Sequence, residues 1–436
     1  MSAEGRRTLL GIVALAAITA LAAAYPAMTG QGVGARWEPT WAHWLPRVTG
    51  WTPVVVVVAV ALFASAPLAG RLGWRWLLLT AWGASWVWTM ALALVDGHAG
   101  IATGFTHRSE YLIDARSIES VSRTFAEFVS RIPLEAPDNW SAHVAGHPIG
   151  ALLLFAGLVR LGFDDPFSLG LLVLTLGTTA ITAVMVTVRA VAGEERARAA
   201  TPFLVLGPAA IFVGVSADGL YMAITAWGLA ALAVAATSST GRAVPLGVLA
   251  GLLLGAGVYL SYGLPLMGLI ALAVLAGARS WRPLPWALGG ALAVAGAFTI
   301  AGFAWWEAYP VLRERYYAGI AARRPYSYWV WADIGAWAIC AGVGAGAGVA
   351  HGLRRLRTRG DDATRAVLLL GAAGLGCMLL ATLSGMSKAE VERIWLPFTP
   401  WVLCLLALLP VGHRRPVLLL QAVLALLTQH LLLSVW

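Results

Sequence analysis

The chain has 436 residues, of which 59% are hydrophobic and only 12% are charged; its formal net charge is +9 and its mean hydropathy is +0.77. Soluble domains carry about 25% charged residues, so this composition excludes a water-soluble protein and predicts an all-α, polytopic membrane protein. Cys340, Cys377 and Cys404 all lie in apolar runs, which excludes a disulfide framework and a Cys-x-x-Cys metal site.

Apolar runs of about 20 residues, the length that crosses a bilayer as a helix, recur along the whole chain. They predict about 13 transmembrane helices in a single integral membrane domain, 1–436. The predicted spans are 8–28, 52–69, 76–95, 167–188, 200–215, 219–236, 244–261, 264–278, 284–304, 333–350, 366–383, 395–410 and 417–435. A further apolar run, Pro148–Gly162, is short for a crossing and is predicted to lie in, or dip into, the outer interface.

The distribution of charge predicts the orientation of these spans. Arg6 and Arg7 precede the first span, which indicates a cytoplasmic N-terminus, and the length of its apolar run favours an anchor over a cleavable signal. When the spans alternate, 17 of the 30 basic residues but only 5 of the 21 acidic residues fall on the inner side. The positive charge therefore indicates topology in the cell inner membrane and requires no nucleic-acid partner. The C-terminal Trp436 is predicted to be extracytoplasmic.

Two long segments, 96–166 and 305–331, are predicted on the outer side, together with a charged outer turn at 384–394. The first contains an apolar stripe at helical spacing with charged residues opposite, which predicts an amphipathic helix on the membrane surface. The stripe is Ile118, Val121, Phe125, Phe128, Val129 and Ile132, and the charged face is Arg116, Glu119, Arg123, Glu127 and Arg131.

Carboxylates are scarce, and none is predicted in mid-membrane. Ion-coupled transporters usually need such a buried group, so that class is disfavoured. Asp96 closes the third span, where it is the candidate general base for an acceptor hydroxyl; ending the helix is its alternative role. Asp218, at another outer tip, is a further acidic candidate.

His147 opens the helix that follows Pro148, where the positive helix end favours a neutral imidazole and backbone NH groups can meet a phosphate. Its alternative role is a helix cap. The spacing of the histidines in this loop matches no known ligand pattern, so no metal site is predicted. These histidines are His98, His107, His143 and His147.

Basic and aromatic side chains in 305–331 and 384–394 are predicted to hold a lipid-linked phosphate, because guanidinium groups bind phosphate through paired donors and aromatic rings pack on sugars. The candidates are Arg313, Arg315, Arg323, Arg324, Tyr326, Lys388 and Arg393. Two alternatives remain open. One is an aromatic belt with arginines on anionic headgroups; the other is a solvated salt-bridge cap of Lys388, Glu390, Glu392 and Arg393.

The order of these features resembles the C-type glycosyltransferases, membrane enzymes that use a polyprenyl-phosphate sugar. Asp96 matches the carboxylate of the family's first outer loop, and His147-Pro148-Ile149-Gly150 matches its His-Pro-Pro start, with Ile149 as a departure. The acidic turn that follows is matched by Asp164-Asp165-Pro166-Phe167. The basic end of the next span is matched by Arg189–Arg198, and the span and outer turn after it by Pro208–Asp218. The likeness covers about residues 76–300. Residues 1–75 are an extra helix pair, and 301–436 form the C-terminal helices. Ser387–Phe398 is similar to actinobacterial members such as the methylthioxylose transferases of lipoarabinomannan.

The resemblance implies an inverting transfer of a pentose or hexose, methylthioxylose among them, from decaprenyl phosphate to a cell-envelope glycan outside the membrane, with no cofactor. It implies Asp96 as the base, and His147, Lys388 and the arginines on the leaving phosphate. Many members have paired acidic residues in this loop, so Glu110 or Asp114 is the alternative base. A flippase of a lipid-linked sugar would share the phosphate features without a base. A membrane acyltransferase could use His147, but the acidic loops fit it poorly.

Overall fold

The structure is a computed structural model that describes residues 1–357 and 360–434. Almost all regular secondary structure in that part of the chain is helical, as the composition predicts. Arg359, one of the basic residues assigned to the inner side, and Trp436, predicted to be extracytoplasmic, lie outside the described residues.

The α-helices are, in chain order, α1 (Ala3–Thr29), α2 (Thr52–Ser65), α3 (Trp74–Ala93), α4 (Ala99–Thr106), α5 (Tyr111–Arg116), α6 (Val121–Glu127), α7 (Ala142–Ala145), α8 (Ile149–Arg160), α9 (Pro166–Gly177), α10 (Ala180–Ala192), α11 (Glu194–Val205), α12 (Ala209–Val215), α13 (Ala217–Thr237), α14 (Thr240–Leu260), α15 (Met267–Ala278), α16 (Leu284–Ile300), α17 (Trp305–Ala318), α18 (Tyr326–Ala341), α19 (Ala345–Leu356), α20 (Asp362–Leu383), α21 (Val391–Ile394), α22 (Thr399–Leu403) and α23 (Val411–Leu431). Short 3-10 helices span Ala66–Gly70, Leu94–Asp96, Leu264–Leu266, Ile320–Arg323 and Cys404–Leu408. Two two-residue strands, β1 (His43–Trp44) and β2 (Leu432–Leu433), pair antiparallel.

Within the described residues, seven helical segments are long and apolar enough to cross a membrane, or nine if each of two bent helix pairs counts as one span. The seven are Ala3–Thr29, Thr52–Gly70, Trp74–Asp96, Pro166–Ala192, Ala217–Thr237, Thr240–Leu260 and Asp362–Leu383. The bent pairs are α16 with α17, at 74°, and α18 with α19, at 110°. The protein is therefore a multi-pass α-helical membrane protein, and 13 spans stay a prediction.

The sequence predicts one continuous span at 333–350, but the helix breaks between α18 and α19. Gly342 has a φ of +74°, and a Cβ there would collide with the side chain of Gln421. Gln421 donates to Ala341 O at 2.6 Å and accepts from Gly344 N at 3.2 Å. Its buried amide thereby bonds backbone groups at the break, which is how a non-helical segment is tolerated inside a membrane protein.

The predicted amphipathic helix over 116–132 is wrong in extent, because the chain forms α5 and α6 with an extended residue between them. Ser120 caps α6 by accepting from Arg123 N, and this cap starts a new helix in mid-stripe. Phe128 and Ile132 are fully buried, but Val121 is 41% exposed. Only part of the apolar stripe is therefore buried in the protein.

The apolar run after His147 forms α8, which at 12 residues is too short to span, as its length predicts. Gly150 lies against the end of α14, where a Cβ would meet the backbone carbonyl of Tyr259. Only glycine permits this approach, and it fixes the start of α8 beside α14. His147, one turn earlier, is held beside the cavity described below.

Hydrogen bonds and ion pairs connect segments that are predicted to lie on the same side of the membrane. Segments assigned to the outer side meet through Arg315 with Trp140 O at 2.9 Å and through Arg393 with Asp218 at 3.0 Å. Segments assigned to the inner side meet through Arg198 with Leu72 O, Arg279 with Asp362 and Arg354 with Glu4. The candidate site belongs to the first group.

Candidate functional site

A cavity of about 540 Å³ lies where the segment before α8, the start of α13, the α14–α15 connection, α17 and the turn at 384–394 meet. This volume is within the range of about 300–1,000 Å³ that is usual for small-molecule sites. Its polar and aromatic lining includes His143, His147, Asp218, Tyr221, Ser261, Tyr262, Trp305, Tyr309, Tyr316, Arg324, Ser384, Ser387, Lys388, Glu390 and Arg393.

The turn that follows α20 brings three charged residues to this cavity. Ala389 and Glu390 have φ values of 66° and 62°, a left-handed conformation that costs energy for residues other than glycine. The buried carboxylate of Asp333 holds the turn by accepting from Ala389 N at 3.1 Å and from the Thr382 hydroxyl at 3.1 Å. Asp333 thereby anchors the turn that presents Lys388.

Arg393 is the centre of a buried ionic network. Its guanidinium donates to Asp218 at 3.0 Å, to Glu390 at 2.8 Å and to His143 Nε2 at 3.1 Å. Glu390 also accepts from Arg324 at 2.7 Å. Burial would raise the pKa of Glu390, but Arg393 and Arg324 outweigh burial and lower it to about 2. Glu390 is therefore ionised, and the predicted solvated salt-bridge cap is in fact buried.

Lys388 has no carboxylate partner among the residues that the structure describes. Its Nζ donates to Ala321 O at 2.7 Å and lies 4.8 Å from the ring centre of Tyr317. Burial, and then the nearby Arg324, lower the pKa of Lys388. The cavity lining holds three cations, Arg324, Lys388 and Arg393, against two carboxylates, Asp218 and Glu390. The buried carboxylate of Glu110, behind the lining, adds a third negative charge near Arg393. Lys388 is therefore the cation of the cavity with which an anion could pair.

Two histidines line the cavity in different roles. His143 Nδ1 pairs with the buried carboxylate of Glu110 at 2.6 Å, so its Nε2 accepts from Arg393. His147 Nδ1 donates to His143 O at 2.7 Å. Burial outweighs the attraction of Asp218 and lowers the pKa of His147 to about 4. His147 is thus neutral near pH 7, and its Nε2 is an acceptor.

Asp96, the predicted base, does not line this cavity. Both of its carboxylate oxygens are bound: Arg47 donates to each of them, and Gln429 donates to Oδ2 at 2.8 Å. Asp96 thereby joins α3, α23 and the segment before α2, away from the cavity, and its role as the base stays a prediction. Of the alternatives, Asp114 accepts from Ser141 N at 2.9 Å, which fixes the start of α7.

The predicted basic cluster divides into cavity and non-cavity residues. Arg324, Lys388 and Arg393 line the cavity, with His147 and Asp218. The other four candidates, Arg313, Arg315, Arg323 and Tyr326, do not. Arg313 and Arg323 are exposed, and Tyr326 donates to Leu383 O at 3.2 Å. Arg315 donates to Ile132 O and Trp140 O, so it secures the long loop rather than a ligand.

Two titratable residues of the site, His143 and Glu390, are not among the predicted site residues. The sequence shows His143 only as one of four loop histidines and Glu390 only as part of a charged outer turn. Their role depends on burial beside Arg393, which neither spacing nor composition reveals. The only sequence signal was the density of charge in 384–394.

Comparisons of the chain with protein-family models, with curated proteins and with solved structures find no match. The function proposed for the chain therefore depends on the chemistry of the cavity residues.

The buried carboxyl group of Glu392 is expected to make the stability of the folded protein depend on pH. It is 1% exposed; Oε1 accepts from Trp41 N at 3.3 Å, and Oε2 has no partner among the described residues. Burial raises its pKa from 4.5 to about 7. The stability contributed by the protonated Glu392 carboxyl is then fully present below about pH 4.5 and is lost as pH rises through about 7. The size of this loss is about 3 kcal/mol.

We therefore expect Glu392→Gln to be more stable than the wild type at pH 8 and closer to it at pH 5. Thermal unfolding of both proteins in the same detergent across this range measures the difference. An unchanged difference between the two pH values would contradict the assignment.

Proposed function

We propose that the chain is a membrane glycosyltransferase that moves a sugar from a polyprenyl-phosphate donor to a hydroxyl of a cell-envelope glycan. One observation carries the proposal: a single cavity of this membrane protein is lined by three buried cations and by three aromatic rings, those of Tyr262, Trp305 and Tyr309. A phosphate could pair with Lys388, which has no carboxylate partner among the described residues, and sugar rings pack on aromatic faces. The resemblance to the C-type glycosyltransferases supports the same donor. We also propose 13 spans, with the cavity on the extracytoplasmic side.

The phosphate is proposed to bind among Arg324, Lys388 and Arg393. Arg393 and Arg324 are held by Glu390, so their positions are set before a ligand arrives. Lys388 is bound only to a carbonyl and to aromatic faces among the described residues, so its charge is available to the anion. Preorganised cations of this kind stabilise charge that develops on a leaving group.

The reaction balances with one base. The acceptor hydroxyl oxygen forms a bond to the anomeric carbon of the sugar, and the bond from that carbon to the phosphate oxygen breaks. The phosphate leaves with the electron pair, where the cations stabilise it. The hydroxyl proton passes to Asp218, one of the two carboxylates that line the cavity; the other, Glu390, has its pKa lowered to about 2 and is a weaker base. Asp218 thus replaces Asp96 in the proposed role.

The polyprenyl chain needs an apolar path out of the cavity. Beside the charged residues, the cavity is lined by Pro265, Leu266, Leu380 and Ala381. The break of 74° between α16 and α17 lies next to Trp305, which also lines it. These features support a route from the phosphate site to the bilayer.

The proposal is tested with the full-length protein reconstituted in lipid vesicles. Decaprenyl-phosphate sugars are supplied with a mannose-containing glycan acceptor, and both lipid and glycan are examined by mass spectrometry. We expect glycan of increased mass and free decaprenyl phosphate in equal amounts. If the lipid crosses the bilayer chemically unchanged, the protein is a flippase and the transferase proposal is wrong.

Two adjacent arginines provide a matched pair of variants. Arg324 is 4% exposed and binds Glu390, but Arg323 is exposed and does not line the cavity. We expect Arg324→Gln to lower transfer by roughly 100-fold, because a preorganised donor is lost. Arg323→Gln should stay within about twofold of the wild type, as exposed substitutions usually do. Equal losses of initial rate in the two variants would contradict the proposed phosphate site.

A further inference from the structure

One side of the cavity is an aromatic wall formed by Tyr262, Trp305 and Tyr309. Trp305 and Tyr309 stack with ring centres 5.2 Å apart and planes at 7°. Tyr262 is tilted against both, with ring centres at 5.2 Å and 5.5 Å. Trp305 Nε1 donates to Val258 O at 3.3 Å, which fixes the indole. Rings that are fixed in this way offer a flat apolar surface at low entropic cost.

A hydroxyl group without a partner lies on the same cavity. The Tyr262 hydroxyl is buried and has no hydrogen-bond partner among the described residues. Tyr221, which is 1% exposed, also lines the cavity, but its hydroxyl faces the hydroxyl of Tyr111 and so does not depend on a ligand for a partner. Buried polar groups are normally satisfied, and in a binding cavity a ligand can supply the partner.

We infer that Tyr262, Trp305 and Tyr309 form a sugar-binding subsite, separate from the cations that hold the phosphate. A sugar ring matches this surface, because its C–H face packs on aromatic rings and its hydroxyls pair with phenol hydroxyls. The inference rests on the proposed function and names the residues that would determine which sugar the protein binds. A bare phosphate lipid would use the cations and leave this subsite empty.

The binding arm of the test uses full-length protein in nanodiscs and two probes, decaprenyl phosphate and decaprenyl-phosphate mannose. Tyr262→Phe removes only the hydroxyl, and Trp305→Leu removes the stacking face. Trp306→Leu is the matched control, since Trp306 is 62% exposed and does not line the cavity. We expect the first two variants to weaken binding of the glycosylated lipid about tenfold, the effect of one lost hydrogen bond or stacking contact. Binding of decaprenyl phosphate should change less than twofold.

The kinetic arm measures KM for the glycan acceptor in the same variants. A loss confined to the glycosylated lipid assigns the subsite to the donor sugar. A raised acceptor KM with unchanged lipid binding assigns it to an acceptor sugar. If both measurements match Trp306→Leu, the inference is overturned while the phosphate site stands. If the wild type binds neither lipid, the proposed function fails and this inference with it.

Discussion

Asp218→Asn should lower the maximal rate of sugar transfer by roughly 10²–10⁴-fold, the usual contribution of a general base. Asparagine keeps the shape of the side chain and can still accept from Arg393, but it cannot take a proton. Binding of the donor, measured with decaprenyl-phosphate mannose, should therefore change little. The substitution should lower kcat rather than raise KM, because the proton is transferred only in the reacting complex.

Asp96→Asn is the control for this prediction, since Asp96 lies outside the cavity and is bound by Arg47 and Gln429. We expect it to retain measurable transfer, with any loss explained by lower stability. If Asp96→Asn is folded but inactive and Asp218→Asn is active, Asp96 and not Asp218 is the general base.

Arg393→Met should abolish transfer and also destabilise the protein. Arg393 and Asp218 are 6% and 5% exposed, so removing the guanidinium leaves a buried carboxylate without its cation. Breaking a buried ion pair in this way costs about 3–5 kcal/mol. Thermal unfolding in detergent measures the loss of stability, and the vesicle assay measures transfer.

The double variant Arg393→Met/Asp218→Asn separates the two effects. It removes the unpaired charge at position 218 and should recover part of the lost stability, because the two residues interact directly. Transfer should remain absent, since both the cation and the base are gone. Recovery of transfer in the double variant would contradict the roles of both residues.

The sequence predicts the class of protein and most of the helical segments, because both follow from local properties. Hydropathy over a window of about 20 residues identifies a helix such as α13 wherever it lies in the fold. The break at Gly342 could not be predicted in this way. It depends on Gln421, whose amide meets the backbone from a helix near the end of the chain.

The candidate site is predicted only in part, because its residues are far apart in sequence. Lys388 and Arg393 stand out locally, as charges in an apolar chain. Nothing local indicates that Arg393 meets Asp218, which is 175 positions away. Asp96 illustrates the converse: its position at the end of a span suggests a free carboxylate, but Arg47 and Gln429 are 49 and 333 positions away and occupy it.

The cavity with Arg324, Lys388 and Arg393 is proposed to bind a lipid-linked phosphate sugar. Photolabelling tests this proposal most directly, with a decaprenyl-phosphate sugar that carries a diazirine beside the phosphate and the full-length protein in nanodiscs. We predict labelled peptides from 305–324 and 384–398, with labelling suppressed by unlabelled donor. Labelling confined to the separate apolar groove lined by Leu176, Trp227 and Leu249, or labelling that unlabelled donor does not suppress, would contradict this proposal.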